Sequence, residues 1–178
     1  MYFTIFISII IIQRLSELYI SRQNEKWLLA NGAIQYGQSH YPFIVAMHTL
    51  FLISVIVEYI LTPGAAISYA FLVLFVLVLS FKFWALSSLG HYWNTKIYRI
   101  PGVYPVKKGP YKIFKHPNYG EVICEIAIIP LVFHLYYTAI IFTVLNAIML
   151  TIRIRVENRV WAQQEIKDIK KAENKTVC

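Results

Sequence analysis

The chain is short of carboxylates, of cysteine and of glycine-rich phosphate loops, and each shortage removes a class of function. Nine Asp and Glu face 17 Lys and Arg among its 178 residues. On a soluble protein that surplus would suggest nucleic acid. Here 58% of the residues are hydrophobic, against about 45–50% in soluble domains, so lipid is the solvent. The cation excess then reads as topology and attraction to anionic lipid, and no nucleic acid partner is expected. The two cysteines, Cys124 in an apolar run and Cys178 at the last position, make neither a disulfide framework nor a zinc site. The ending "KTVC" is not a prenylation box. No His/Cys/carboxylate cluster resembles a metal site, so no metal is expected. The absence of G-x-G-x-x-G removes the Rossmann route to a nucleotide cofactor. The opening "MYFTIFISIIII" has no positive region before it and no small-x-small cleavage site after it, so it reads as a retained helix.

What remains is an all-α integral membrane protein. Crossing about 30 Å of hydrocarbon takes roughly 20 helical residues, and four or five segments approach that length. Tyr2 to Ile20 carries Gln13, Arg14 and Glu17 near its end; Arg14 and Glu17 share a helix face and can pair while snorkelling to the interface. Phe43 to Leu61 follows, "TPGA" turns the chain, and Ala66 to Leu86 returns. Two shorter helices, Tyr119 to Phe133 and Tyr137 to Ile152, are joined by "HLYY", with Pro130 expected to kink or end the first. With the N-terminus outside, every Lys and Arg lies at or near the inner side and the two outer turns carry none. Five spans, N-terminus out and C-terminus cytosolic, satisfy the positive-inside rule. The tail "WAQQEIKDIKKAENKTVC", with Trp161, Ile166 and Ile169 at helical spacing, reads as a cytosolic helix on the membrane surface.

The polar residues gather at the inner face, in "LGHYWNTKIYRIPGVYPVKKGPYKIFKHPNY" and in "TIRIRVENRVWAQ". A helical hairpin returns the chain to the side it left, so these segments are expected to be neighbours. Arg153 and Glu157 are four apart and share a helix face. They are either an ordinary surface pair at a helix end or, because the loop faces them, a functional pair at membrane depth. Arg155 and Arg159 read as charges meeting lipid phosphate. Pro101, Pro105, Pro110 and Pro117 stiffen the loop, Gly102 and Gly109 permit turns, and Pro117 suits the first position of a helix. Tyr111 and Tyr119 are interface anchors or site residues. His40, His48 and His134 read as structural and His91 is ambiguous. His116 gains interest from its setting between Lys115 and Pro117, although no acid–base role follows. Glu121 and Glu125 either line a cavity or balance nearby lysines.

At these residues the chain resembles the isoprenylcysteine carboxyl methyltransferase family. The pattern G-x-Y-x-x-x-[RK]-H-P-x-Y before a hairpin and R-x-x-x-E after it reads "GPYKIFKHPNY" and "RIRVE" here, within a likeness spanning roughly residues 85 to 160. The N-terminal "RLSELYISRQNEKWLL" looks most like the short bacterial alkylpyrone O-methyltransferases. The resemblance implies three membrane helices over 1–88, a methyltransferase core over 89–160 with a cytosolic cofactor loop, and a tail over 161–178. It implies S-adenosylmethionine as methyl donor, with Lys96, Val103, Tyr104, Pro105, Val106, Tyr111, His116, Pro117, Asn118, Tyr119 and Glu157 where the family contacts it. Arg153 falls where the substrate's acidic group is held, and Arg153 and Glu157 are the catalytic candidates. Two positions depart from the pattern: Asn158 replaces a frequent second acid, and Lys115 the usual arginine before His-Pro.

The chemistry agrees with the resemblance. Methyl transfer from a sulfonium to an oxyanion cancels charge, so a dry site favours it, and positioning contributes about 7–11 kcal/mol. An acidic oxygen, carboxylate or enolic, is already ionised and needs no general base. The expected acceptor is a lipophilic small molecule, an alkylpyrone for example, drawn from membrane lipid. Three other readings compete. A sterol-type NADPH reductase would carry a K-Y-G-like C-terminal stretch that is absent. A phospholipid N-methyltransferase has little use for a substrate-facing arginine. A non-catalytic scaffold leaves the polar loop unexplained.

Overall fold

The computed structural model describes residues 1–176, with side chains described as far as Ala162. Five helices follow one another: α1 (Tyr2–Ala30), α2 (Tyr41–Leu61), α3 (Tyr69–Leu89), α4 (Pro117–Leu131) and α5 (Tyr136–Thr176). Four helical stretches, Tyr2–Ala30, Gln38–Leu61, Tyr69–Tyr92 and Tyr136–Ala162, are long and apolar enough to cross a membrane. The fifth expected crossing, α4, has 15 residues, about 22 Å at 1.5 Å per residue, which falls short of the hydrocarbon thickness. It begins at Pro117 and ends one residue past Pro130, as the two prolines dictate. Instead of spanning alone it wedges between α3 and α5 and buries Ile126 and Ile129.

Contacts at both ends fix the alternation of the helices. At one end Phe3 stacks on Tyr59 and meets Phe133 edge-on, and the Ser68 amide donates to the Val132 carbonyl at 2.8 Å. There the Glu58 carboxylate also accepts the amides of Tyr137 and Thr138 at 3.0 and 2.7 Å, satisfying the free N–H groups that open α5. At the opposite end lies an element absent from the all-helical expectation. β1 (Ile34–Tyr36) and β2 (Ile97–Arg99) pair antiparallel with Gln35 opposite Tyr98. This ribbon ties the segment after α1 to the loop after α3.

Three features differ from what the sequence predicts. α1 continues past Ile20 for ten further residues, and its extension packs on the polar loop. α5 does not stop near Ile152; it runs unbroken to Thr176, so the expected surface helix of the tail is its continuation. The side chains of Ile166 and Ile169, and all of Cys178, lie outside the described residues. The third difference concerns charge. Arg14 bonds Glu17 at 3.0 Å as expected, but it does not snorkel: it also reaches Glu125 of α4 at 2.7 Å. Lys82 of α3, 3% exposed, meets Glu125 at 2.8 Å and Glu121 at 3.2 Å, and contacts Glu17. Gln13 donates to both Glu17 and Glu125. Each charge here needs an opposite one, because an unpaired ion in a low-dielectric interior is costly.

Candidate functional site

The loop between α3 and α4 has little regular structure of its own, so its shape comes from neighbours. Asn24, on the α1 extension, donates to the Gly90 and Trp93 carbonyls at 3.2 and 2.7 Å. Ser21 holds Asn94 and Thr95. Trp93 in turn is buried and its indole N–H donates to Asn118 at 3.3 Å, at the start of α4. Further on, Gly109 adopts φ +52, and a Cβ there would sit 2.1 Å from the Ser88 Oγ of α3. Only glycine fits that approach, so the "KKGP" turn is pressed directly onto α3.

Behind this loop lies a cavity of about 590 Å³. Of the residues expected at the site, Lys96, Val103, Tyr104, Pro105, Val106, Tyr111, His116, Asn118, Tyr119, Arg153 and Glu157 all line it. Pro117 does not; it is buried and starts α4. The loop and the end of the hairpin are neighbours, as a helical return requires. Trp93, Asn94, Ile97, Tyr98, Arg99, Val160 and Trp161 line the cavity too, and the sequence reading missed them. Ile97, Tyr98 and Arg99 are placed by the β1–β2 pairing, which a three-residue strand scarcely signals, Trp93 and Asn94 by bonds to α1, and Val160 and Trp161 by the continuation of α5. The clue lay in α1, where "SRQNEK" continues a helix beyond any apolar need.

Arg153 and Glu157 do not pair directly. The Arg153 Nε donates to the Tyr119 hydroxyl at 3.1 Å, and that hydroxyl donates to Glu157 Oε2. Tyr119 is the link the sequence could not show. His116 stacks on Tyr119 with ring centres 5.2 Å apart, and its Nδ1 lies 3.8 Å from the Glu157 carboxylate. Two polar atoms here are buried without a partner: the Tyr111 hydroxyl and His116 Nε2. A buried polar atom left unpaired costs about 1–3 kcal/mol, so these lining side chains fit a polar ligand. Burial, then the charges of Glu121 and Glu157, push the Tyr111 phenol up, which keeps it neutral and able to donate.

Lys96 lines the cavity, but its ammonium is held by Glu25 at 2.7 and 2.9 Å. Tyr98 donates to the same carboxylate, and burial together with that bond pushes its phenol up. Glu121 and Glu125 do not line the cavity; they belong to the buried ionic network. His91 stacks on Trp27, His134 occupies the turn before α5 and bonds Tyr136, and none of the remaining histidines lines the cavity. Among the described residues no group of His, Cys, Asp and Glu could hold a metal ion. Lys107, Lys112, Lys115, Arg99 and Arg153 join Lys96 in the lining, where Glu157 is the one carboxylate. Such a wall favours an anion.

Comparison with known proteins bears on the family of the chain. A profile described as the isoprenylcysteine carboxyl methyltransferase (ICMT) family matches residues 70–163. An uncharacterized protein, YpbQ, of Bacillus subtilis is 46% identical over 169 residues, covering 93% of this chain and 99% of that protein. An uncharacterized protein of Haemophilus influenzae is 29% identical over 150 residues, covering 81% and 86%. No solved structure matches.

Proposed function

The chain belongs to the isoprenylcysteine carboxyl methyltransferase family, and from that premise we propose that it is an S-adenosylmethionine-dependent O-methyltransferase acting on an acidic oxygen of a lipophilic acceptor. The observation that carries the reading is the cavity in which Tyr111 and His116 present unpaired polar atoms beside the Arg153–Tyr119–Glu157 chain. When bound, the donor supplies an electrophilic methyl group on a sulfonium. Glu157 would hold the donor's ammonium or ribose hydroxyls, with Tyr119 fixing the carboxylate. Tyr111, His116 and Asn118 would complete its polar contacts, and Val103, Tyr104, Pro105 and Val106 would exclude water along its flank. Arg153 would orient the acceptor oxyanion. Since the acceptor arrives ionised, no side chain has to take a proton. A carboxylate and an enolic pyrone hydroxyl both meet these requirements, and the membrane-embedded helices offer the acceptor's tail a lipid environment worth about 0.8 kcal/mol per buried CH₂.

Calorimetry on the purified protein tests the donor half. S-adenosylmethionine should bind, Glu157→Ala should bind it more weakly, and no binding by the intact chain would overturn the reading. Arg153→Ala should keep donor affinity and lose turnover. Membranes incubated with radiolabelled donor should yield a labelled, base-labile methyl ester or a methyl ether in the lipid extract.

A further inference from the structure

The loop that walls the cavity is also exposed along much of its length, so its side chains meet a second environment besides the cavity. Tyr104, Ile113 and Phe114 are 88%, 75% and 54% exposed. Lys107, Lys108, Lys112 and Lys115 stand among them, all exposed. None of the four has a carboxylate within ion-pair distance among the described residues, unlike Lys96 and Lys82. In water such a surface would waste apolar area and leave four like charges to repel one another.

Its place in the fold accounts for both. Gly109 seats the turn against Ser88 and Trp84, and Pro110 is buried beside it, so the loop is fixed at the cytosol-directed end of α3. Phe83 and Trp84 on that helix are 60% and 50% exposed, as side chains facing lipid are. A loop held at that height has acyl chains on one side and headgroups on the other. Apolar residues carried between lysines at such a boundary fit a leaflet with negative headgroups.

We propose that residues 103–115 form a docking surface for anionic phospholipid. The four lysines engage headgroup phosphates, and Ile113 and Phe114, at the outer rim of the cavity lining, insert below them. Lys107, Lys112 and Lys115 also line the cavity, so lipid charge sets how firmly the wall is held. The inference does not depend on methyl transfer.

Hydrogen–deuterium exchange of the full chain reconstituted in vesicles tests it without donor or acceptor. In vesicles of phosphatidylcholine containing phosphatidylglycerol, amides of 103–115 should exchange several-fold more slowly than in phosphatidylcholine alone, and salt should abolish the difference. The variant K107Q/K108Q/K112Q/K115Q should exchange at the faster rate in both vesicles. I113S/F114S should lose most of the protection with its lysines intact. The β1–β2 amides should be unchanged throughout, reporting an intact fold. Equal exchange in the two vesicle types, or protection that survives the loss of the lysines, overturns the proposal. Protection that survives I113S/F114S overturns the insertion of the apolar residues. A chain that binds no methyl donor leaves this result standing.

Discussion

At the residue scale the site turns on Tyr119. Its hydroxyl stands between a guanidinium and a carboxylate one helical turn apart, and the adjoining ring stacks on His116. Tyr119→Phe removes both bonds and keeps the ring. Hydrogen bonds to charged groups contribute about 1.5–3 kcal/mol, so kcat/KM should fall about ten- to a hundredfold and the melting temperature should fall as well, since both bonds exist in the resting protein; steady-state kinetics beside calorimetry measures this. Removing Tyr111's unpaired hydroxyl, as Tyr111→Phe, should weaken donor binding while leaving the apo protein as stable or more so, because no existing bond is lost. The residue types at these positions were readable in the sequence, since a histidine, prolines and tyrosines cluster where an apolar chain has no other use for them. Their connections were not. The i,i+4 spacing of Arg153 and Glu157 suggested a direct pair, whereas the two share a partner from another helix. Lys96 lines the cavity, as expected of a site residue, and the sequence did not show that its ammonium is engaged by Glu25, 71 positions earlier.

At the element scale, α4 is positioned by charge as much as by packing. Asn118 and Tyr119, which line the cavity, sit one or two turns from Glu121 and Glu125 on the same helix. Through those acids α4 is fastened to α1 and α3. Glu125→Ala takes from Arg14 and Lys82 one of the two carboxylates they share, leaving Glu17, and breaking a buried ion pair costs about 3–5 kcal/mol; unfolding in a mild detergent with added denaturant should show the loss. Gly109→Ala has a different cause. It forces a Cβ onto Ser88 at a positive φ, so it should displace the loop and lower donor affinity more than global stability, a contrast that calorimetry and thermal melting separate. Hydropathy alone defined α2 and α3, and proline placement fixed both ends of α4. The short ribbon stayed hidden because three-residue strands carry no usable period. The lengths of α1 and α5 stayed hidden because a helix that leaves the membrane while packed on protein loses the apolar signal that marked it.

For the whole molecule, the asymmetry of charge is the main constraint. Among the described residues, the end that carries Phe3, Tyr59 and Phe133 has Glu58 and no Lys or Arg, while the opposite end holds the cavity and the basic loop. By the positive-inside rule, the cavity is expected on the cytosolic side, an orientation that labelling tests. A cysteine introduced at Thr62, with Cys124 and Cys178 replaced by serine, should react with a membrane-impermeant maleimide on intact cells. One at Lys108 should react only after the cells are opened; the reverse pattern would mean the molecule is inserted the other way up.

The ionic network also bears on how the protein is made. α1 enters the bilayer with Arg14 and Glu17 as an internally neutral couple, and Lys82 arrives on α3 with Glu17 as its one available acid. Only when α4 emerges from the ribosome do both cations gain the two further carboxylates that complete the set. A chain with α1 and α3 but no α4 has two cations for one carboxylate in this network, an excess positive charge within the span. The boundary between the first three helices and the rest is therefore a seam in synthesis and not a line along which the molecule can be cut.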